Sequence, residues 1–422
     1  MIEREVPSRL EDIQLGTRAF WSSPPGRREG ALEWLRREHP VSFHAEPAED
    51  GMPAGPGFWS LTRHAQISEV SGASSLWSSS PTAMIRDFPP RLEPFFRSMV
   101  NMDDPRHTRL RKIVSRGFTP RALAEVTPAV ERRATSLIDA VLDKGECDFV
   151  LDLAAPFPLL VICDMMGIPE SHAPFVFEQT NIVMSGAIPP GTPPLADRVE
   201  LQASALEALT EFMLDLGRSR RARPRRDLTS TLIHADVDGE ALNGQELASF
   251  FILLILAGSE TTRQALAHGV EALCRHPDQR RAWWADFETR APAAIEEVLR
   301  WSSPVRSFRR RATRDTQLCG QRIREGEKVV LWYGSANRDS AVFDAPYEFD
   351  LTRSPNEHLA FGGYGAHYCL GASLARRELF VMFRELSRRL PEIELSAAPK
   401  RLQTSFMDGI LSMPCTFARE AT

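Results

Sequence analysis

The sequence predicts a protein of the mainly α class with a minor β region, built around a long central helix. Apolar residues recur at helical spacing in five long segments, which are 121–142, 201–218, 245–275, 292–301 and 372–389. Short patterns typical of strands and turns lie at 41–61, at 312–331 and near the C-terminus. Since no repeat, linker or change of composition divides the chain, we expect a single domain over residues 1–422.

Composition and charge exclude several classes of protein. The chain has 422 residues and a net charge of −5, whereas nucleic-acid-binding proteins are usually basic. Its six cysteines form no CxxC pair and no regular framework, as expected in a reducing cytoplasm. The N-terminus lacks the apolar core of a signal peptide, and the most apolar run, 250–258, is too short to span a bilayer. We therefore expect a cytoplasmic protein without a membrane anchor.

Two segments lack any regular periodicity and are predicted to be loops. Residues 77–104 are rich in serine and proline with apolar interruptions, and 188–194 reads Ile-Pro-Pro-Gly-Thr-Pro-Pro. Long loops in compact domains often act as lids over a site.

The long helix over 245–275 carries polar residues in the middle of an apolar stretch. Asn243 or a neighbour can cap its start and Pro277 ends it, so about 30 residues give a length of about 45 Å. The motif at 257–262, Ala-Gly-Ser-Glu-Thr-Thr, favours a bend, because glycine costs about 1 kcal/mol in a helix and hydroxyls bond back to carbonyls. Two interpretations stay open at this point. Either Glu260 pairs with an arginine, or the bend forms a groove where a small polar ligand receives protons.

A glycine-rich loop ending in a cysteine precedes the last long helix. Residues 358–371 read His-Leu-Ala-Phe-Gly-Gly-Tyr-Gly-Ala-His-Tyr-Cys-Leu-Gly, and such glycines let backbone approach a flat ligand. Cys369 stands at a helix N-terminus, where free N–H groups lower the pKa of a thiol. A lone cysteine is usually a small buried hydrophobe, but this pattern argues against that interpretation. A zinc site would need ligands beyond His358 and His367, and the glycine spacing is not that of a dinucleotide-binding loop.

This loop resembles the haem-binding signature of the cytochrome P450 family, whose usual form is Phe-Gly-x-Gly-x-His-x-Cys-x-Gly. Gly362 occupies the usual phenylalanine position, so the phenylalanine is displaced by one to Phe361, a variant known in a subset of the family. The resemblance implies that Cys369 is the axial thiolate ligand of the iron of heme b (iron protoporphyrin IX), held by the loop from Phe361 to Gly371. It also implies the cytochrome P450 fold, in which the long central helix crosses over the haem.

Further motifs match this family in the expected order along the chain. The stretch at 257–261 resembles its oxygen-activation motif, which makes Ala257 a haem neighbour, Glu260 the acid and Thr261 the hydroxyl. The family's Glu-x-x-Arg network would comprise Glu297, Arg300 and Arg353. The haem propionates would be bound by charge-assisted hydrogen bonds from His107, Arg111, Arg310 and His367. Each of these arginines, taken singly, could instead be a surface residue of an arginine-rich chain.

By the same resemblance the protein is a haem-thiolate monooxygenase that hydroxylates an unactivated C–H bond. The thiolate of Cys369 would favour O–O cleavage, while Glu260 and Thr261 would position water and deliver protons. Since no flavin, nicotinamide or iron–sulfur motif remains to be placed, electrons would come from a ferredoxin-type donor with its ferredoxin reductase. Cationic residues expected near the thiolate face could steer an acidic partner; they are Arg106, Arg109, Lys112, Arg116, Arg376 and Arg377.

The substrate is predicted less closely than the chemistry. Stretches such as 103–116 and 250–263 resemble actinobacterial P450 enzymes that hydroxylate terminal methyl groups of methyl-branched lipids and sterol side chains. The expected pocket is mostly apolar, which favours an apolar substrate; it would include Met84, Phe88, Phe96, Leu254, Arg306, Phe308 and Ile410. Arg306 is charged where an apolar side chain is expected. It would either contact the substrate or turn away towards a propionate or solvent. A terpenoid, steroid or secondary-metabolite substrate stays open, as do a peroxygenase and a haem sensor, although the intact Glu260–Thr261 pair disfavours the last two.

Overall fold

The computed structural model describes residues 3–184, 194–235 and 241–418. These residues form a mainly helical structure with a small β region, which confirms the predicted class. The loop predicted at 188–194 lies almost wholly outside the described residues. The loop predicted at 77–104 contains only the short strand Trp77–Ser78 and two 3-10 turns.

The α-helices of the described residues vary widely in length, and the long ones build the core. In chain order they are α1 (Arg18–Trp21), α2 (Pro25–Glu38), α3 (His64–Gly72), α4 (Arg106–Val114), α5 (Pro120–Leu142), α6 (Pro156–Met166), α7 (Ala173–Met184), α8 (Leu195–Ala222), α9 (Leu228–Ile233), α10 (Gly244–Leu254), α11 (Glu260–Arg275), α12 (Pro277–Ala285), α13 (Phe287–Ser302), α14 (Tyr333–Ala336) and α15 (Ala372–Arg389).

The strands of the described residues are short and form one larger sheet and three small ones. In chain order they are β1 (Val41–His44), β2 (Phe58–Leu61), β3 (Trp77–Ser78), β4 (Glu146–Asp148), β5 (Ser307–Ala312), β6 (Thr316–Leu318), β7 (Gln321–Ile323), β8 (Lys328–Trp332), β9 (Glu394–Leu395), β10 (Lys400–Gln403), β11 (Asp408–Ser412) and β12 (Pro414–Thr416). The larger sheet has the order β1–β2–β8–β5–β3, with β2 and β8 parallel and the other neighbours antiparallel. The small sheets are β10–β11, β4–β12–β9 and β6–β7.

The predicted central helix consists of α10, a π-helical turn at Ile255–Ser259 and α11. A capping box starts it, because the Asn243 side chain accepts from the Glu246 N–H at 2.9 Å and the Glu246 carboxylate accepts from the Asn243 N–H at 3.1 Å. The π-helical turn coincides with the predicted bend. There the hydroxyl of Ser259 donates to the Ile255 carbonyl at 2.5 Å, as back-bonding serines do where helices bend.

The central helix runs through the main hydrophobic core, which spans residues 92–417. It packs against α6, α8, α13 and α15, while a second apolar cluster lies along the larger sheet. This packing places the π-helical turn opposite the loop that precedes α15.

Within the described residues, one helical segment, Phe149–Met166, is long and apolar enough to cross a membrane, and 67 % of it is buried inside the protein. The sequence prediction took 250–258 as the most apolar run and missed this segment. Asp152 and Asp164 interrupt its apolar pattern, although most of its length packs in the core. Deep burial is what a core helix of a soluble protein shows.

Candidate active site

A cavity with a largely apolar lining lies between the central helix and the loop before α15. The central helix contributes Ala257, Gly258, Thr261 and Thr262 to its wall. The loop contributes, from the opposite side, Phe361, His367, Cys369 and Gly371. The two motifs that the sequence singled out therefore face one another across one cavity.

The cysteine loop owes its course to glycines that lie against α3. A Cβ on Gly363 would come within 2.4 Å of the Ser71 hydroxyl oxygen, so no larger residue fits there without movement. Gly362 has a φ of +86°, in the left-handed region that favours glycine. The Cys369 N–H donates to the Phe361 carbonyl at 3.0 Å and closes the loop. These contacts direct the cysteine towards the cavity.

Cys369 is half-buried and lines the cavity. Burial raises the pKa of its thiol, and the Gly371 N–H with the charges of Arg111 and Arg376 lowers it by less. The sequence predicted a lowered thiol pKa from the helix N-terminus alone. The N–H groups at the helix end do lower the thiol pKa, but the removal of Cys369 from water raises it by more. A bound metal ion is the kind of charge that deprotonates such a thiol.

The displaced phenylalanine is held by an ion pair outside the cavity. The Arg376 guanidinium lies 4.5 Å from the centre of the Phe361 ring. Arg376 also donates to Glu296 at 2.6 Å and 2.8 Å, and His358 Nε2 lies 3.0 Å from the same carboxylate. Burial alone would raise the pKa of Glu296, but hydrogen bonds from Arg376 and His358 outweigh it and lower that pKa to about 2. The carboxylate thus joins α13, the loop and α15.

The four residues predicted to bind propionates all line the cavity. The rings of His107 and His367 lie 4.2 Å apart, and Ser79 Oγ lies 3.1 Å from His367 Nε2. The Nε2 atom of His107 is buried and has no hydrogen-bond partner among the described residues. Arg111 donates to the Tyr368 carbonyl at 2.6 Å, and Arg310 donates to a backbone carbonyl at 2.8 Å.

These cations fit a ligand that carries carboxylates. No ion pair joins Arg111 or Arg310 to an acid of the described residues. Burial, together with the neighbouring arginine charges, lowers the pKa of His107 and lowers that of His367 to about 3. Two haem propionates would accept hydrogen bonds from the guanidiniums of Arg111 and Arg310, and one of them could bond the unpartnered Nε2 of His107. Together with Cys369, which lines the cavity opposite the central helix, these residues fit a haem.

Thr261 and Glu260 occupy different surroundings although they adjoin in sequence. Thr261 lines the cavity, and its hydroxyl donates to the Ala257 carbonyl at 2.6 Å. Glu260 does not line the cavity: it is 7 % exposed and accepts from Gln264 at 2.6 Å and from Arg263 at 3.2 Å. The ion pair of the first interpretation is therefore present, and the bend lines a cavity as the second requires, while the delivery of protons to a ligand there stays a prediction.

The predicted Glu-x-x-Arg network is present, with Glu297 and Arg300 fully buried and Arg353 partly buried. The Glu297 carboxylate accepts from Arg300 through two bonds of 2.7 Å and from Arg353 at 3.1 Å. Asn356 also donates to it at 3.1 Å. Arg300 also donates hydrogen bonds to three backbone carbonyls, those of Asn337, Pro346 and Glu348. The network ties α13 to the segment that leads into the cysteine loop.

Only two of the predicted pocket residues, Leu254 and Phe308, line the cavity. The remaining ones do not; they are Met84, Phe88, Phe96, Arg306 and Ile410. Phe88 and Phe96 stack on each other at 4.3 Å, and Ile410 is fully buried with its N–H donated to Gln264.

Arg306 points away from the cavity, which corrects its predicted place. Its guanidinium forms an ion pair with Asp408 at 2.7 Å, donates to the Thr404 carbonyl at 2.7 Å and lies 5.1 Å from the Trp21 ring centre. Val305 and Phe308 line the cavity while Arg306 faces a separate solvent-facing pocket beside α2. Sequence alone gave no sign of Asp408, because it lies far along the chain.

The sequence reasoning missed two residues of the cavity wall, Tyr333 and Glu378, and one residue that contacts the wall, Ser79. Tyr333 and Ser79 lie beside the cationic cluster, Tyr333 in the cavity wall and Ser79 against His367. Glu378, on α15, also lines the cavity. The helical spacing from Cys369 could have indicated Glu378, since it falls on the face of α15 that carries Leu374 and Ala375.

A fold built around a central helix, with a cysteine that faces it across an apolar cavity edged by cations, is the arrangement of a haem-thiolate oxidoreductase. Comparisons with known proteins agree. The cytochrome P450 family model matches residues 291–410. A methyl-branched lipid omega-hydroxylase of Mycobacterium tuberculosis is 45 % identical over 417 residues, covering 98 % of this chain and 96 % of the relative. A steroid C26-monooxygenase of Mycolicibacterium smegmatis is 36 % identical over 384 residues, covering 90 % of this chain and 88 % of the relative.

A solved structure of a Mycobacterium marinum cytochrome P450 in complex with pseudoionone has a TM-score of 0.90 and 41 % identity, over 98 % of this chain and 99 % of that chain. The chain therefore belongs to the cytochrome P450 family and is a P450 monooxygenase. The predicted fold, the haem cofactor and the class of enzyme are confirmed.

Proposed function

We propose that the protein hydroxylates a terminal methyl carbon of a methyl-branched lipid or of a sterol side chain. The observation that carries this proposal is the high identity, over nearly the whole chain, to a methyl-branched lipid omega-hydroxylase. The cavity supports it, since the wall near the central helix is apolar and includes Phe250, Leu253, Leu254 and Phe308. Arg306, which follows the cavity residue Val305, does not bring its charge to that wall, because its guanidinium pairs with Asp408.

The cofactor is proposed to be heme b, with Cys369 as its axial ligand. His107, Arg111, Arg310 and His367 would bind the two propionates, and Gly371, Phe361 and Ala257 would contact the ring. When bound, the haem supplies oxygen activation, and the thiolate favours O–O cleavage. The protein contributes the orientation of the substrate and the exclusion of bulk water.

Proton handling is proposed for the polar residues of the central helix. The Thr261 hydroxyl, whose hydrogen is donated to the Ala257 carbonyl, would accept a hydrogen bond from a cavity water and hold that water in position to deliver protons that come from solvent. Glu260 would act behind Thr261 and fix the helix through Arg263 and Gln264.

Replacing Thr261 by alanine tests this role. In Thr261→Ala we expect electrons to be consumed at a similar rate but released largely as hydrogen peroxide, because water and protons are no longer held in place. The measurement compares product formed with electrons consumed, and Ser249→Ala on the same helix is the control. Unchanged coupling in Thr261→Ala would exclude the role.

Electrons are proposed to come from a ferredoxin-type donor served by a ferredoxin reductase, with the chain acting as one cytoplasmic haem domain over residues 1–422. The proposed docking face is the surface beside the thiolate. Arg106 and Arg109 pair with Glu246, and Arg376 pairs with Glu296, so these cations are partly neutralised. Arg116 and Arg377 are exposed and form no ion pair within the described residues.

A spectral titration of the purified holoprotein tests the substrate. We expect methyl-branched fatty acids and sterols to shift the haem spectrum and terpenoids to do so more weakly, with a thiolate-type spectrum for the reduced carbon monoxide complex. A stronger response to a terpenoid would favour the alternative hydroxylase. Turnover with hydrogen peroxide alone would favour a peroxygenase, and a thiolate spectrum without any turnover would favour a haem sensor.

A further inference from the structure

A second pocket opens to solvent where α2 begins, and it shares no described residue with the cavity around Cys369. Three arginines line it, which are Arg28 of α2, Arg306 directly before β5, and Arg401 of β10. Asp408 is the one acidic residue in its wall within the described part of the chain. The pocket is therefore rich in positive charge.

The acids around the pocket do not balance its arginines. Arg306 pairs with Asp408 at 2.7 Å, and Arg401 donates to both oxygens of Glu271, at 2.6 Å and 2.7 Å. Glu271 also accepts from Arg275 at 3.0 Å. Two carboxylates thus serve three arginines, which leaves this network with one positive charge in excess.

Arg28 adds a further charge, because it forms no ion pair with any described residue. Its Nη1 atom donates to the carbonyls of Trp21, at 3.0 Å, and Ser23, while no described residue accepts from its Nε or Nη2 atom. Burial and the nearby charge of Arg306 lower the pKa of Arg28, and Asp408 raises it by less. An anion in the pocket would reduce this repulsion and accept the free N–H groups.

The size and the rim of the pocket indicate which anion fits. Its volume of about 190 Å³ lies below the range of about 300–1,000 Å³ that drug-sized ligands occupy, so the group bound is small. Pro24, Pro25 and Leu402 give the pocket an apolar side next to the arginines. A guanidinium matches the planar geometry of a carboxylate. A small acid with an apolar tail therefore suits both parts of the wall.

We propose that this pocket is a second binding site of the protein, which takes the carboxylate of a small amphiphilic acid. Arg28 and Arg306 bind the carboxylate, Arg401 adds its charge, and the tail lies against Leu402. The bound acid joins α2, the start of β5 and the β10–β11 hairpin. The site goes beyond the proposed hydroxylation and does not rest on it, because it lies outside the cavity.

Calorimetric titration of the holoprotein with hexanoate tests the site. The decisive comparison is between Arg28→Gln and Arg27→Gln, which remove the same charge from adjacent positions of α2. Arg27 is exposed, forms no ion pair with a described residue and does not line this pocket, so it is a matched control. Hexanol, with the same chain and no charge, and inorganic phosphate are the comparison ligands. The haem spectrum of each sample reports any ligand that enters the cavity instead.

We expect hexanoate to bind the wild type and Arg27→Gln equally, without a change in the haem spectrum. Binding should weaken by about 10-fold in Arg28→Gln, the lower end of what a hydrogen bond to a charged group contributes. Arg28→Lys, which keeps the charge, should retain most of the affinity. Asp408→Asn should bind hexanoate more tightly, because Arg306 is released from its carboxylate partner.

Equal hexanoate affinity of Arg28→Gln and Arg27→Gln would overturn the proposal, as would a wild type that binds no hexanoate. Hexanol that binds as tightly as hexanoate would show an apolar surface without a carboxylate site. Phosphate that binds more tightly than hexanoate would contradict the class of ligand. The comparison at Arg28 decides even if Asp408→Asn fails to fold. Since the titration needs no turnover, its failure would leave the proposed hydroxylation untouched.

Discussion

Glu296 anchors the cysteine loop from outside the cavity, through Arg376 and His358. Its folded-state pKa of about 2 lies below the ordinary value of 4.5, because two hydrogen-bonded partners outweigh the effect of burial. A carboxylate with a lowered folded pKa stabilises the fold above its unfolded pKa, and this contribution is lost as the pH falls through the folded value. The anchor should therefore weaken between about pH 4.5 and pH 2.

Replacing Glu296 by glutamine tests this pH dependence. At neutral pH we expect Glu296→Gln to lower the free energy of unfolding by up to about 3 kcal/mol, as the pKa shift implies. The difference from wild type should shrink across the window from pH 4.5 to pH 2, because wild-type Glu296 becomes protonated there. Denaturant unfolding at a series of pH values measures this difference in the free energy of unfolding. Parallel stability curves for the two proteins would contradict the assigned anchor.

Individual residues show why motifs were predicted well and pocket members were not. Cys369, His367 and Thr261 lie in short patterns whose chemistry is local, and the structure brings them to one cavity. Arg306 belongs to no such pattern, and its direction depends on Asp408, which approaches from another strand. The helix end lowers the pKa of the Cys369 thiol as the sequence predicted, but burial, which the sequence does not show, raises that pKa by more.

At the scale of elements, α11 crosses α13 and α15 at Gly269. A Cβ there would come within 2.6 Å of Phe383 Cζ and 2.9 Å of Val298 Cγ1. Both neighbours are fully buried, so neither can move aside freely. The glycine thus allows the central helix to lie close to the helix that follows the cysteine.

Gly269→Ala should lower the free energy of unfolding by about 1–3 kcal/mol, the usual cost of overpacking, although alanine is the better helix former. Gly72→Ala is the control, because Gly72 ends α3, is exposed and would gain only an ordinary contact of 3.6 Å. We expect that control to be neutral or slightly stabilising. Equilibrium unfolding of the holoproteins measures both, and a stabilised Gly269→Ala would show that α11 is not tightly packed there.

The central helix was predictable to within a few residues at each end, because Asn243 and Pro277 are local signals. The bend was predictable too, but its π-helical form was not. In that turn α6 packs against Gly258, where a Cβ would come 2.9 Å from Ile162 Cδ1. Such tertiary contacts leave no periodic trace in a sequence.

At the scale of the whole molecule, a net charge of −5 contrasts with the cations gathered near the thiolate. Opposite charge on a partner would speed the encounter without a large interface. Since Arg106, Arg109 and Arg376 already have acidic partners, the steering charge of the proposed docking face would fall mainly on exposed residues such as Arg116 and Arg377. The folded surface is therefore less cationic than the sequence alone suggested.

Reversing the charge of Arg377 tests the proposed docking face. In Arg377→Glu we expect the KM for an acidic ferredoxin to rise by about 10-fold at physiological salt, because steering is lost, with substrate binding and the carbon monoxide spectrum unchanged. The matched control is Arg388→Glu, an exposed arginine on the same helix, about 16 Å further from the cysteine. That distance is about two Debye lengths at physiological salt, so the control should change KM little. Raising the salt concentration should bring Arg377→Glu and wild type together. Equal effects of the two reversals would indicate a response to net charge alone and place the docking face elsewhere.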